Sequence, residues 1–243
     1  MRFVPLKSPE QLDLQALHRA RSRLVTKRTA VINQIRGFLL KRGVPVRQGA
    51  TALRSALPDL LATRSDVLSP RVLRLVEDLM EDWRRLDGRV ESTTAEIEAL
   101  VDQDEDCRRL MTEPGIGPIT SSAMITSIGT GDAFAKGRDF AAWLGLVPKQ
   151  ISTGDRTILA GITKRGNGYL RTLFIQGARS VLMRRQTWPN HGFGAWLEAA
   201  SRRTHSNVLV VALAAKLART AWSMLASSDR MFQALACVPH DSI

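Results

Sequence analysis

The feature that most constrains the fold is a repeat of apolar positions that continues for about four heptads after Ser69-Pro70. Steps of four and three residues separate its members, which are Val72, Val76, Leu79, Trp83, Leu86, Val90, Thr93, Ile97 and Leu100. This period predicts one long helix with a single apolar seam, of the kind that forms a coiled coil. Ser69 is a favoured N-cap and Pro70 a favoured first residue, so the helix should begin there.

A second amphipathic helix is predicted between Pro9 and about Lys41, because apolar residues again repeat every seven positions. The apolar row contains Leu17, Leu24, Val31 and Phe38, and the opposite face carries Arg19, Arg21, Arg23, Lys27, Arg28 and Arg36. The heptad seam can close against this helix within one chain or between protomers, and the sequence favours neither. Residues 1–110 are therefore expected to form a long antiparallel helical pair, with a homo-oligomer, a dimer or tetramer, assembled through it.

The composition changes after residue 113, where small residues, Gly, Ser and Thr become frequent. We expect residues 111–243 to form a compact helical domain, with helices near 171–186 and 206–236. The expected fold class is therefore all-α, or mainly helical, in two parts. The sequence has no run of eighteen apolar residues and no signal-peptide core, so we expect a cytoplasmic protein with no membrane partner.

The net charge of +12 constrains the kind of partner, since 35 Lys and Arg face 23 Asp and Glu. Such a surplus favours a polyanion such as nucleic acid. Aromatic residues make up only 5% of the chain, which argues against a single-strand binder built on stacking platforms. Cys107 and Cys237 cannot form a zinc site alone. The acids between Asp102 and Asp106 read as the solvated end of a helix, so no metal site is predicted.

The segment Pro114-Gly115-Ile116-Gly117-Pro118 is typical of the tight turn of a helix-hairpin-helix. Glycine lets the backbone approach a phosphate, and a following helix N-terminus offers free N–H groups to an anion. A purely structural corner between two helices would have a similar sequence. The candidate DNA contacts of this turn are Gly115, Gly117 and Thr120.

A second candidate phosphate site surrounds Gly166 and Gly168. Its predicted DNA-binding residues are Lys164, Arg165, Asn167 and Arg171, in which the basic side chains would neutralise phosphates. The alternative is a solvated basic turn with no ligand.

The hydroxyl pair Ser152-Thr153 precedes Gly154, an arrangement that is common in turns. A serine can attack a phosphodiester if basic groups stabilise the developing charge. Lys149, Arg156, Lys164 and Arg165 lie near enough in sequence to contribute to this stabilisation, and Lys149 and Arg156 are further candidate DNA contacts.

Taken together, these segments resemble the IS110/IS116/IS902-type insertion-sequence transposases. The resemblance rests on Pro-Gly-Ile-Gly-Pro, Phe-Ala-Ala-Trp-Leu-Gly-Leu-Val-Pro, Ser-Thr-Gly, Gly-Ile-Thr-Lys-Arg-Gly-Asn and Tyr-Leu-Arg, all in family order between Pro114 and Arg171. It extends to residues 2–8, to the helix around residues 28–37, and to residues 207–222, so that essentially the whole chain is covered.

The resemblance implies a DNA recombinase that acts on double-stranded DNA, in some members with a structured guide RNA. It implies a RuvC-like domain whose four carboxylates bind Mg²⁺, and a C-terminal domain whose serine forms a covalent link to DNA. Those carboxylates lie upstream of the segment that resembles Met1 to Ser8, so no residue here inherits a metal role. The sequence therefore looks like the middle and C-terminal portion of a transposase, with an inactive DNA- or RNA-binding remnant as the alternative.

The family serine falls within the Ser152-Thr153 pair. Ser152 is the preferred nucleophile because it is the serine present, whereas Thr153 is the residue immediately before the glycine. If the family position is that of Thr153, a hindered secondary hydroxyl replaces the serine.

Overall fold

The computed structural model describes residues 6–63 and 67–236, with side chains described as far as residue 226. Residues 2–5 of the family-like opening segment and Cys237 therefore lie outside the described residues. The chain divides into two compact units, which we call unit 1 (Met1–Gln15 and Ile97–Ile243) and unit 2 (Ala16–Glu96). The boundary predicted near residue 110 stays a prediction.

The mainly helical fold class is confirmed. The helices are α1 (Pro9–Leu40), α2 (Ala50–Thr63), α3 (Pro70–Val101), α4 (Glu105–Leu110), α5 (Pro118–Ile128), α6 (Gly137–Trp143), α7 (Gly168–Met183), α8 (Gly194–Ser201) and α9 (Ser206–Ala236). A 3-10 turn, Arg185–Asn190, follows α7. The strands β1 (Pro148–Thr153) and β2 (Arg156–Ile162) form an antiparallel hairpin, which the all-α expectation did not include.

The helices α1 and α3 run antiparallel within unit 2, as predicted. Arg21 Nε donates to Thr94 Oγ1 at 2.7 Å, and Arg28 Nη1 donates to Asp87 Oδ1 at 3.2 Å, so positions rise in α1 as they fall in α3. The heptad row of α3 is buried in this unit at Val76, Trp83 and Val90. These contacts pair the two helices within one chain, and coiled-coil pairing between protomers stays a prediction.

The predicted basic face of α1 is only partly available. Arg21 and Arg28 contact α3 as described, and Arg36 Nη2 donates to the carbonyl oxygens of Arg47 and Gly49, both at 2.7 Å. The remaining residues of that face are exposed and comprise Arg19, Arg23 and Lys27.

Unit 1 is built around α9. Leu213, Leu217, Ala218 and Ala221 of this helix are completely buried, and α6 and α7 pack against it. Within the described residues, Ser206–Ala226 is the one stretch long and apolar enough to cross a membrane by length and composition alone. Half of that window is buried inside the protein, and the core helix of a globular unit passes the same test.

Candidate nucleic-acid interface

The hydroxyl pair lies near the tip of the β-hairpin rather than in a turn. Thr153 pairs with Arg156, so Gly154 and Asp155 form a two-residue loop. Gly154 has a φ of 58°, whereas Asp155 has no positive φ. A positive φ at the first loop position alone is the pattern of a type II′ hairpin turn, for which glycine is favoured.

Ser152 and Thr153 point to opposite faces of the hairpin, because successive strand residues alternate. Ser152 lies opposite Thr157, with 3.4 Å between their hydroxyl oxygens, and accepts a hydrogen bond of 3.0 Å from Gln150 Nε2. Thr153 shares its face with its cross-strand partner Arg156, whereas Lys149 lies at a register irregularity between Pro148 and Gln150. In the described part of the chain, the hydrogen bonds of Ser152 Oγ involve no titratable group.

Both faces of the hairpin are open. Every strand residue except the half-buried Ile162 is exposed, including the apolar Ile151, Ile158 and Leu159. An isolated two-stranded hairpin is marginally stable in water, so this element is suited to gain a binding partner on at least one face.

The basic turn begins at the base of the hairpin. Ser152 lies four positions beyond the start of β1 at Pro148, which corresponds to about 13 Å along the strand. Lys164 and Arg165 follow β2 after one intervening residue, Thr163, and are exposed. The hairpin therefore separates the candidate nucleophile near its tip from these two cations near its base, while Arg156 lies beside the tip.

Two of the predicted phosphate ligands have structural roles in the fold. Asn167 is the N-cap of α7, and its Oδ1 accepts a hydrogen bond from the Leu170 N–H at 3.1 Å. Arg171 Nη1 donates to the carbonyl oxygens of Leu144 and Arg165, both at 2.9 Å. These bonds explain both residue types without a ligand, and their DNA contacts stay predictions.

The glycine of the turn is also required by packing. Gly166 has a φ of 72°, and an added Cβ would overlap the carbonyl oxygen of Trp143. The turn is thereby held against the end of α6, and the two exposed cations stand at the N-terminus of α7. Since the first N–H groups of a helix lack intrahelical partners, this end of α7 is suited to bind an anion.

The turn before α5 is packed more tightly than a free phosphate cradle would be. Gly115 has a φ of 88°, and a Cβ there would lie 2.9 Å from both the Gly177 carbonyl oxygen and Val181 Cγ2 of α7. Gly117, by contrast, is the N-cap of α5 and has open space around its α-carbon. Thr120 is 7% exposed, so this side chain is poorly placed to reach DNA.

A carboxyl group stands beside the same turn. Burial raises the pKa of Glu113, and the positive charge of Lys216 opposes that rise. An acid next to the turn disfavours phosphate. Of the two predicted phosphate sites, the basic turn before α7 therefore has the better geometry and charge, and the helix-hairpin-helix stays a prediction.

No group of three or more His, Cys, Asp or Glu could hold a metal ion within residues 6–63 and 67–236. The acids that end α3 are used locally, since the Asp104 carboxylate caps α4 by accepting from the Cys107 N–H at 2.8 Å. Sequence reasoning missed Gln150 and Thr157 as neighbours of Ser152. The Gly154-Asp155 pair between two β-prone segments was the signal that could have placed them.

Comparison with known proteins gives consistent matches. The family model described as "Transposase IS116/IS110/IS902 family" matches residues 107–192. A probable family 20 transposase of Pseudomonas aeruginosa is 42% identical over 93% of the chain and 67% of the relative. The transposase for insertion sequence element IS1111A of Coxiella burnetii is 39% identical over 94% and 63%, respectively. The transposase for IS1328 of Yersinia enterocolitica is 39% identical over 91% and 65%. The chain thus spans about two thirds of the length of these relatives.

Proposed function

Because the chain belongs to the IS116/IS110/IS902 family of transposases, we propose that it binds double-stranded DNA in the transposition of an insertion sequence. The observation that carries this proposal is the exposed hairpin that leads directly into Lys164, Arg165 and the N-terminus of α7. Charge supports it, since residues 136–236 contain 15 Lys and Arg but only 4 Asp and Glu. A surface of this kind binds phosphates and reads little sequence.

The proposed chemical step is attack by Ser152 Oγ on a DNA phosphodiester. The Oγ–P bond forms while one P–O bond to a sugar breaks, and the departing sugar oxygen gains one proton as the serine hydroxyl loses one. Thr157 and Gln150 hold the serine side chain at the open face of the hairpin. The base that removes the proton is neither Gln150 nor Thr157, the hydrogen-bond partners of Ser152.

One observation favours a second candidate function. Within the described residues, Ser152 has no titratable hydrogen-bond partner, and Thr153 stands immediately before the glycine. A chain without an activated nucleophile would act as a DNA- or RNA-binding remnant. Because the two hydroxyls point to opposite faces, identifying the reactive one also identifies the face of the hairpin that meets DNA.

Three further parts of the proposal rest on the family resemblance. Mg²⁺ would be held by the carboxylates of a RuvC-like domain, which lie upstream of the segment that this sequence resembles. A structured guide RNA would be the second nucleic-acid partner. A homo-oligomer would assemble through the helical region, in the cytoplasm, where the DNA of a bacterial cell is accessible.

DNA binding is tested by fluorescence anisotropy with a labelled duplex across a series of salt concentrations. Wild-type protein should lose orders of magnitude in affinity between low and moderate salt. The double variant Lys164→Gln/Arg165→Gln should bind about tenfold or more weakly, as loss of two phosphate contacts requires. The matched control Arg202→Gln/Arg203→Gln removes two exposed cations at the end of α8 and should bind like wild type. Salt-insensitive or absent binding would refute the DNA proposal.

The covalent step is tested by incubating the protein with element-end DNA, Mg²⁺, guide RNA and a supplied carboxylate-bearing domain. An SDS-resistant protein–DNA adduct should form and be lost in Ser152→Ala but kept in the control Ser201→Ala. Loss in Thr153→Ala alone would move the nucleophile by one residue. Salt-dependent binding with no adduct would support the remnant.

A further inference from the structure

A pocket of about 410 Å³ lies in unit 1 beside the basic turn. We call it the Trp143 pocket. Trp143 and Phe134 form its aromatic wall, and residues 126–130 and Lys7 also line it. Its volume is within the range of small-molecule sites, about 300–1,000 Å³.

The aromatic wall is rigidly supported. Trp143 stacks on Phe140, with 6.0 Å between ring centroids and 21° between ring planes, and tilts against Phe134 at 5.6 Å. Phe140 is completely buried, whereas Trp143 keeps 36% of its surface exposed. The exposed part of the indole is therefore fixed in place by neighbours that are themselves part of the core.

The walls of the pocket contact the segment that leads into the N-terminus of α7. On one side, the Trp143 carbonyl oxygen packs against Gly166. On the other, Asn167 Nδ2 donates to Ser127 Oγ at 3.4 Å. The same two residues, Gly166 and Asn167, shape the turn that presents Lys164 and Arg165. An aromatic slot and a phosphate site thus share one short backbone segment.

We propose that the Trp143 pocket receives one unstacked nucleobase of the DNA whose phosphates bind at Lys164, Arg165 and the N-terminus of α7. This inference rests on the proposed function. Charge favours a nucleotide over an apolar protein segment, because Lys7 lines the pocket and the exposed Lys164 and Arg165 directly precede Gly166 and Asn167, which contact its walls. Every base has a π face, so stacking on Trp143 fixes the position of a nucleotide without reading its identity.

A base bound in the pocket would also hold the DNA strand in place during strand transfer. A base that leaves the stack distorts the local duplex, and this distortion costs less where the base is mismatched. The protein is therefore expected to prefer duplexes in which one base is already poorly paired. Such a preference would anchor the strand next to the hairpin that bears Ser152.

The test compares two labelled duplexes of the same sequence, one fully paired and one with a single central T·T mismatch. Wild-type protein should bind the mismatched duplex about fivefold or more tightly, which is the smallest factor expected from stacking of one base. Trp143→Ala should abolish the preference but keep salt-dependent binding to the paired duplex. Trp143→Phe should restore part of the preference, and the control Trp196→Phe should leave it unchanged.

A 2-aminopurine base placed at the mismatch gives an independent readout. Its fluorescence should change on addition of wild-type protein and should change less with Trp143→Ala. Equal affinity for both duplexes, or a preference that survives in both Trp143 variants, would overturn the pocket proposal while binding to DNA stands. A change of oligomeric state in Trp143→Ala without loss of the preference would also overturn it, and would identify a second copy of the chain as the occupant. Absence of salt-dependent binding to either duplex would instead refute the DNA proposal itself.

Discussion

At the scale of single residues, two glycines of unit 1 support the candidate nucleic-acid interface, because they allow backbone segments to pack closely against each other. Gly166 and Gly115 both have a positive φ and both stand against main-chain atoms of another element. A side chain cannot replace hydrogen there, because at both positions a carbonyl group, which cannot rotate away, is among the obstructing atoms. The close packing at these glycines therefore fixes the positions of the basic turn and of the turn before α5.

Gly166→Ala should destabilise unit 1 strongly. The new Cβ would overlap the Trp143 carbonyl, and the left-handed φ adds about 1–2 kcal/mol, so we expect a loss of about 3 kcal/mol or more. Gly43→Ala is the matched control, since its φ is also 72° but nothing lies within 4 Å of the added Cβ. Urea unfolding followed by circular dichroism measures both. Equal losses in the two variants would contradict a packing role for Gly166.

His18 should make unit 2 sensitive to acid. Burial, helped by the nearby charge of Arg21, lowers the pKa of His18 from 6.5 to about 4. The unfolded chain therefore takes up a proton first, and stability should decrease as pH falls from about 6.5 to about 4, by up to about 3 kcal/mol. Above pH 6.5 this contribution is fully present.

The measurement is the urea midpoint of wild type and of His18→Gln across this pH range. The variant should have a flatter pH dependence, while His205→Gln, which changes unit 1 only, should behave like wild type. If the urea midpoint of His18→Gln depends on pH as steeply as that of wild type, other groups cause the acid sensitivity.

Particular residues also show where sequence reasoning ends. The basic turn was predicted as a phosphate site, and Lys164 and Arg165 are indeed exposed there. The structural bonds of Arg171 could not be predicted, because its partner carbonyl on Leu144 is 27 residues away in sequence. The sequence pattern of a glycine next to a basic residue is the same whether the glycine lies against a phosphate or against the end of a neighbouring helix.

At the scale of elements, predictability followed the length of the periodic pattern. The heptad repeat predicted α3 and its start at Pro70, because a long apolar seam admits few alternatives to a helix. The hairpin was missed because its two short strands are exposed on both faces. With no buried face, the strands carry no alternation of apolar and polar residues that would reveal them.

The same exposure predicts the behaviour of the hairpin in solution. Amide protons of residues 150–159 should exchange with deuterium far faster than those of α7 and α9, because only the ladder between the two strands protects them. Duplex DNA should slow exchange in the hairpin and leave α9 unchanged, as measured by hydrogen-exchange mass spectrometry. Exchange in the hairpin that is already slow without DNA, or is unaffected by DNA, would contradict its role as a binding element.

At the scale of the whole molecule, positive charge is present in both units but is distributed differently. Residues 16–96 contain 16 Lys and Arg and 9 Asp and Glu. In unit 1 the acids concentrate before residue 136 and the bases after it, so that the charge surplus belongs to the part that carries the hairpin and α7. Each unit therefore has basic residues of its own, and the nucleic-acid binding of each can be tested independently.

This distribution leads to a prediction about the salt dependence of binding. If the exposed face of α1 contacts phosphates, the triple variant Arg19→Gln/Arg23→Gln/Lys27→Gln should lower the slope of log affinity against log salt by up to about 3, since each lost phosphate contact removes about 0.9 for duplex DNA. Lys164→Gln/Arg165→Gln should lower it by up to about 2 for the same reason. Because the changes lie in separate units, their effects should add when combined. Titrations with a duplex and with a structured RNA would distinguish the ligands of the two surfaces. If the α1 variant changes the slope for RNA alone, unit 2 binds RNA. If it changes the slope for neither ligand, the exposed face of α1 contacts no nucleic acid.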